Sequence, residues 1–245
     1  MSDNKDTSNE NNNLRVETPS MLRRIRSFVI REGRLTPGQE KALADYFPKW
    51  GIPFEKSLVD WNQVFERASQ HLCIEIGFGM GTSLAEQAKN RPDTDFLGIE
   101  VHKPGVGACL LLAAQNQSTN VRVANYDAVE FIEERVPDES VDTFQVFFPD
   151  PWHKRKHHKR RIVQPEFIQR LVTKLKVGGC LHLATDWEDY AKHMVKVINA
   201  NAQLTNLSST NDYVERPEHR PLTKFEKRGH RLGHGVWDLM YRREK

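Results

Sequence analysis

From His71 onward the sequence alternates short apolar runs with amphipathic stretches, and this rhythm constrains the fold more than any other feature. LCIEIG (72–77), DFLGIE (95–100), VRVANY (121–126), TFQVFF (143–148) and CLHLAT (180–185) have the length and apolar content of strands. TSLAEQAKN (82–90), PGVGACLLLAAQNQ (104–117), VEFIEERV (129–136) and PEFIQRLVTKLK (165–176) lie between them with helical spacing, the last ending at Gly178-Gly179. A further helix, WEDYAKHMVKVINA (187–200), follows the fifth strand. Such alternation predicts an α/β, Rossmann-like, doubly wound sheet that is mostly parallel, with helices on both faces. The segment from Gln203 to Tyr241 is expected to complete the sheet with an antiparallel pair. Ligands of such sheets bind outside the carboxyl ends of the strands. Ahead of this domain (66–245), residues 1–20 read as a disordered tail. Residues 21–65 read as a basic, helical extension containing GQEKALADYF after Pro37.

The first βα turn reads Glu75-Ile76-Gly77-Phe78-Gly79-Met80-Gly81. Glycines there let the backbone turn tightly and approach a ligand with no Cβ in the way. A dinucleotide fingerprint would set its third glycine one position later, where Thr82 stands. The GxGxG spacing, preceded by an acid, resembles motif I of class I S-adenosylmethionine-dependent methyltransferases. Three more acids follow successive strands. Glu100 stands where a carboxylate takes the hydroxyls of a ribose. Asp127 stands where it can accept from an adenine amino group, and Asp150 follows the fourth strand. Any one of them read alone is as readily an ordinary surface acid or helix cap as a ligand contact. Four acids at the tips of four consecutive strands point to one ligand site. Glu75 is the most telling, since a carboxylate in an apolar strand needs a partner to offset its desolvation.

Phe148-Pro149-Asp150-Pro151-Trp152 is a loop stiffened by two prolines around an acid, with an indole available to stack on a base. It runs directly into HKRKHHKRR (153–161), which holds six Lys/Arg, three His and no acid. The net charge is only +3, but clustered cations rather than totals bind phosphates. Residues 21–34 carry five arginines against one glutamate, and Arg23, Arg24 and Arg26 read as an arm toward the same polyanion. A fraying helix is the plain alternative for that arm, and a solvated surface is the plain alternative for the run.

Other classes are excluded on composition. Cys73, Cys109 and Cys180 are scattered singly, which argues against zinc or a disulfide framework. His230 and His234 in a Gly-rich turn are too few for a metal centre, so no metal is expected. No apolar run approaches a membrane span, and the Asn-rich start does not resemble a signal peptide. The expectation is a cytoplasmic monomer with no membrane partner.

Taken together, RRIRSFVIREGRLT, IEIGFGMG, LGIEVHKPGV, FPDPWHKRKHHKRRIV, LATDWEDYA and RPLTKFEKRGHRLGHGVWDLMY resemble the bacterial tRNA (guanine-N7-)-methyltransferase family, from about Arg23 to Tyr241. The resemblance implies a seven-stranded class I methyltransferase fold with an antiparallel last strand. It implies S-adenosyl-L-methionine as cofactor and tRNA as partner, with N7 of a variable-loop guanine as the methylated atom. Glu75, Gly77, Gly79, Gly81, Glu100, Asp127 and Asp150 would then bind the cofactor, and Asp150 would also be catalytic. Lys154, Asp186, Thr223, Lys224, Phe225 and Glu226 match substrate-contacting positions. Lys156, His157, His158, Lys159, Arg160 and Arg161 match the RNA-binding region. Asp186 is also a candidate cap for the helix after it. Without the resemblance, three other readings stay open. They are an amino-methyltransferase with a (D/N)PP(Y/W)-like motif, a NAD-dependent oxidoreductase, and an RNA-binding module without catalysis.

Overall fold

Five parallel strands form the centre of the sheet: β1 (Leu72–Ile76), β2 (Asp95–Ile99), β3 (Val121–Ala124), β4 (Val141–Phe147) and β5 (Leu175–Thr185). In the computed structural model, which describes residues 26–29, 33–68, 71–222, 226 and 235–245, the order is β3-β2-β1-β4-β5-β7-β6. The short β6 (Leu204–Asn206) and the last strand β7 (Trp237–Arg243) pair antiparallel, and β7 runs antiparallel to β5. The chain moves outward from β1 to β3, then returns to β4 on the other side of β1. That reversal opens a crevice at the carboxyl ends of β1 and β4. β1 and β2 are buried at every position, as strands covered on both faces must be.

The helices α3 (Thr82–Asn90), α4 (Lys103–Gln115), α5 (Ala128–Arg135), α6 (Pro165–Lys174) and α7 (Glu188–Asn199) connect the strands. One apolar cluster lies under α5, α6 and α7, and a second lies under α3 and α4. The fifth strand is longer than its apolar run suggests. It begins at Leu175, inside the stretch with helical spacing, and carries Gly178-Gly179 within it. Pairing of Leu175 with Val141 draws those residues out of the helix, with a register shift before Thr143.

Described residues ahead of the sheet pack onto it. The first helix α1 (Pro37–Trp50) starts at a capping box, with Thr36 accepting from the Gln39 N–H and Gln39 accepting from the Thr36 N–H. It lies against α4 where Gly107 has no side chain, since a Cβ there would sit 2.9 Å from the Gln39 carbonyl. After α1 the Ile52 N–H donates to the Val123 carbonyl at 2.8 Å, covering the free edge of β3. The short α2 (Trp61–Phe65) then places Trp61 and Phe65 in the larger core cluster. The 1–20 segment, Arg23, Arg24, Thr223, Lys224, Phe225, His230 and His234 lie outside the described residues.

Candidate active site

The turn after β1 is left-handed at Gly77, Gly79 and Gly81, with φ of +73°, +58° and +72°. These glycines divide into two kinds. A Cβ on Gly81 would lie 2.4 Å from the Cβ of Cys109 on α4, so its missing side chain serves packing. At Gly77 and Gly79 nothing lies within 4 Å of a Cβ position, so their bare backbone faces open space, as a close-approaching ligand requires. Glu100 fixes the turn. One carboxylate oxygen accepts from the Gly79 N–H at 2.9 Å and the other from the His102 N–H at 2.9 Å. Its remaining lone pairs are available to a ligand.

Glu75 sits on β1 between Gly98 on β2 and Gln145 on β4, and is 3% exposed. Its Oε2 has no hydrogen-bond partner. Burial, reinforced by the like charge of Glu100, pushes its carboxyl up to about 8. A buried carboxyl oxygen left without a partner at the root of the glycine turn marks a place prepared for a donor or a cation.

Gly77, Glu100, Asp127 and Asp150 line one cleft of about 740 Å³. Asp127 caps α5, accepting from the Val129 N–H at 2.9 Å, and still borders the cleft. Tyr126, stacked at 3.9 Å on Phe54, closes one wall. Phe54 stands ahead of the sheet and carries no sequence signal for this role. Asp150 is exposed, and its carboxylate makes no hydrogen bond among the described residues, so it presents its charge to the cleft. The flanking Phe148 and Trp152 both adopt positive φ, +51° and +46°. Such strain in residues with bulky side chains is held by the surrounding structure and is concentrated at functional sites.

The basic run folds as a 3-10 helix, Arg155–Arg160, with no buried residue. Lys154 and His157 line the cleft, and Lys156 and Lys159 are exposed beside it. His157 is held below its ordinary value by local desolvation and by the cations of Lys156 and Arg160. Lys159, Arg160 and Arg170 border a smaller adjoining cavity of about 240 Å³, which shares Asp127 and Ser27 with the cleft.

Four of the predicted positions have partners or placements that the sequence does not show. Arg161 is 2% exposed; it pairs with Asp189 at 2.5 Å, donates to the Pro151 carbonyl and lies over the Tyr190 ring. It therefore braces the loop rather than extending the exposed strip. Trp152 has one face covered by the Arg160 guanidinium, 3.9 Å from its ring centre, and its N–H donates to the Ser27 carbonyl. Glu226 is 2% exposed and receives two bonds from the buried Arg220, which also binds Asp238. Asp186 is exposed and does not cap α7, because the cap position belongs to Trp187. His182, which had no assigned role, is buried against Asp238 at 2.8 Å in the same network as Arg220.

Residues 69–239 match the model of a family described as putative methyltransferase. The chain is 58% identical to a tRNA (guanine-N(7)-)-methyltransferase of Vibrio cholerae, covering 93% of this chain and 95% of that one. It is 57% identical to the protein of that name from Pseudoalteromonas atlantica, at the same coverage. The chain belongs to the tRNA (guanine-N(7)-)-methyltransferase family. Among solved structures it resembles the 16S rRNA methyltransferase KamB, with TM-score 0.55 and 18% identity over 77% of this chain and 95% of that one. An rRNA methylase from Streptococcus thermophilus gives TM-score 0.50 at 12% identity over 72% and 89%. These likenesses support the fold alone. Family membership disfavours the oxidoreductase reading, in accord with the position of the third glycine.

Proposed function

We propose that this chain transfers a methyl group from S-adenosyl-L-methionine to N7 of a guanine in tRNA, in the variable loop, acting as a cytoplasmic monomer. The observation that carries the reading is the convergence of Gly77, Glu100, Asp127 and Asp150 on one cleft whose rim continues into an exposed basic helix. The relatives' names supply the base and the atom.

The residues fit the proposed donor. Gly77 and Gly79 offer bare backbone, and Glu75, Glu100 and Asp127 offer carboxylates to its cationic and hydroxyl groups, with Gly81 packing the turn. When bound, S-adenosylmethionine supplies a methyl group activated by a sulfonium. Guanine N7 carries a lone pair and no proton, so this chain needs no general base. Its work is alignment and electrostatics. Asp150 accepts hydrogen bonds from the N1–H and amino group of the base, and its charge favours the purine as that ring becomes cationic. Lys154 and the cations of 156–160 hold the flanking phosphates. The family resemblance implies that Asp186 and the 223–226 stretch contact the substrate.

The test is methylation of an unmodified tRNA transcript by wild-type protein and Asp150→Ala. The variant should lose at least a hundredfold in kcat while its affinity for the cofactor changes less than about threefold. Unchanged turnover would remove Asp150 from the reaction.

A further inference from the structure

Trp187 is a large aromatic side chain left 41% exposed at the carboxyl end of β5, and nothing above gives it a task. Its backbone begins α7, but its side chain makes no capping bond. The ring meets His153 nearly perpendicular, with centres 4.2 Å apart and planes at 75°. His153 lines the cleft and Trp187 does not, so the indole stands one ring outside the mouth. Trp152, which the sequence suggests for stacking, has a face occupied by Arg160.

The charge around Trp187 selects what can rest on it. Asp186, Glu188 and Asp189 flank it, and all are exposed. Asp189 is paired with Arg161 at 2.5 Å and Glu188 with Lys192 at 2.7 Å. Asp186 makes no ion pair among the described residues, so its charge repels a phosphate there and attracts an uncharged base edge with N–H donors. Next to His153, Lys154 and the 155–160 helix present the cations that a backbone needs.

We propose that Trp187 is a stacking platform for the nucleotide next to the methylated guanine, with the RNA backbone on the cationic side and this base turned to the acidic, aromatic side. This rests on the tRNA methylation proposed above. A Trp face serves any base, so it adds affinity and register rather than base identity.

The experiment compares wild type, Trp187→Ala and Trp187→Phe on intact tRNA, and on tRNA made abasic at the 5′ or 3′ neighbour of the target. Trp187→Ala should raise KM for tRNA about tenfold with kcat within about twofold, and Trp187→Phe should stay near wild type. One of the two abasic substitutions should cost the wild type a similar factor and cost Trp187→Ala nothing more. A wild-type KM in Trp187→Ala, or abasic penalties of full size in that variant, overturns the platform while methylation by the wild type stands. Failure of the wild type on intact tRNA overturns the reading beneath it.

Discussion

At the scale of single residues, the buried Glu75 carboxyl has the plainest consequence. Its value is raised by burial and then by Glu100, to about 8. The native state therefore keeps a proton that the unfolded chain releases near pH 4.5. The stability this group contributes is full below that unfolded value and is lost as pH rises through about 8. Glu75→Gln removes the ionisation. In the absence of ligand its Tm, measured by calorimetry, should match wild type near pH 4, exceed it by a margin that grows up to about pH 8, and then level off. A pH-independent difference would contradict the assignment. The existence of this acid is readable in LCIEIG, but its missing partner is not, because that depends on which neighbours β2 and β4 bring alongside. Arg161 shows the reverse case. In the sequence it is the last of six similar cations, and only the position of Asp189 on α7 separates it from the others.

Elements decide which cations remain available. The 3-10 helix leaves Lys156 and Lys159 in solvent, while Arg161 just beyond it turns inward. Lys156→Ala with Lys159→Ala should leave Tm within about a degree and flatten the salt dependence of tRNA binding by about one unit of log slope per lost phosphate contact. Arg161→Ala should instead cost about 1–3 kcal/mol of stability in denaturant unfolding, through lost packing on Tyr190 and lost bonds to Pro151 and Asp189. Equal Tm effects in the two variants would mean that the helix is not divided in this way. The glycine turn is a second element with divided labour. Gly81→Ala forces a Cβ into Cys109 on α4 and demands positive φ, so it should lower Tm by several degrees. An unaltered Tm would show that α4 can retreat from the turn. Strand-to-helix rhythm makes the glycine turn visible in the sequence, whereas the basic run is visible by its charge and its 3-10 fold is not. The start of β5 was not visible, because pairing with β4 overrides local helical spacing from Leu175 onward.

At the scale of the whole molecule, the sheet order places the reversal between β1 and β4, and so puts the glycine turn and the FPDPW loop on one crevice. The parallel core and its helices follow from periodicity that survives without tertiary context. The docking of α1 and α2 does not, because it depends on long-range contacts, such as Gln39 on Gly107 and Ile52 on Val123, that local periodicity does not carry. The cleft gathers Glu100, Asp127 and Asp150 from three strand ends separated by more than twenty residues each, as the sequence suggests. Arg220, His182 and Asp238 come together only through the antiparallel return of β7. Among the described residues no helix is long and apolar enough to cross a membrane. One measurement bears on the central claim most directly: an unmodified tRNA transcript is incubated with the protein and methyl-labelled S-adenosylmethionine, digested to nucleosides and resolved. The label is predicted in 7-methylguanosine alone. Label in N6-methyladenosine, or none in the RNA, would contradict it.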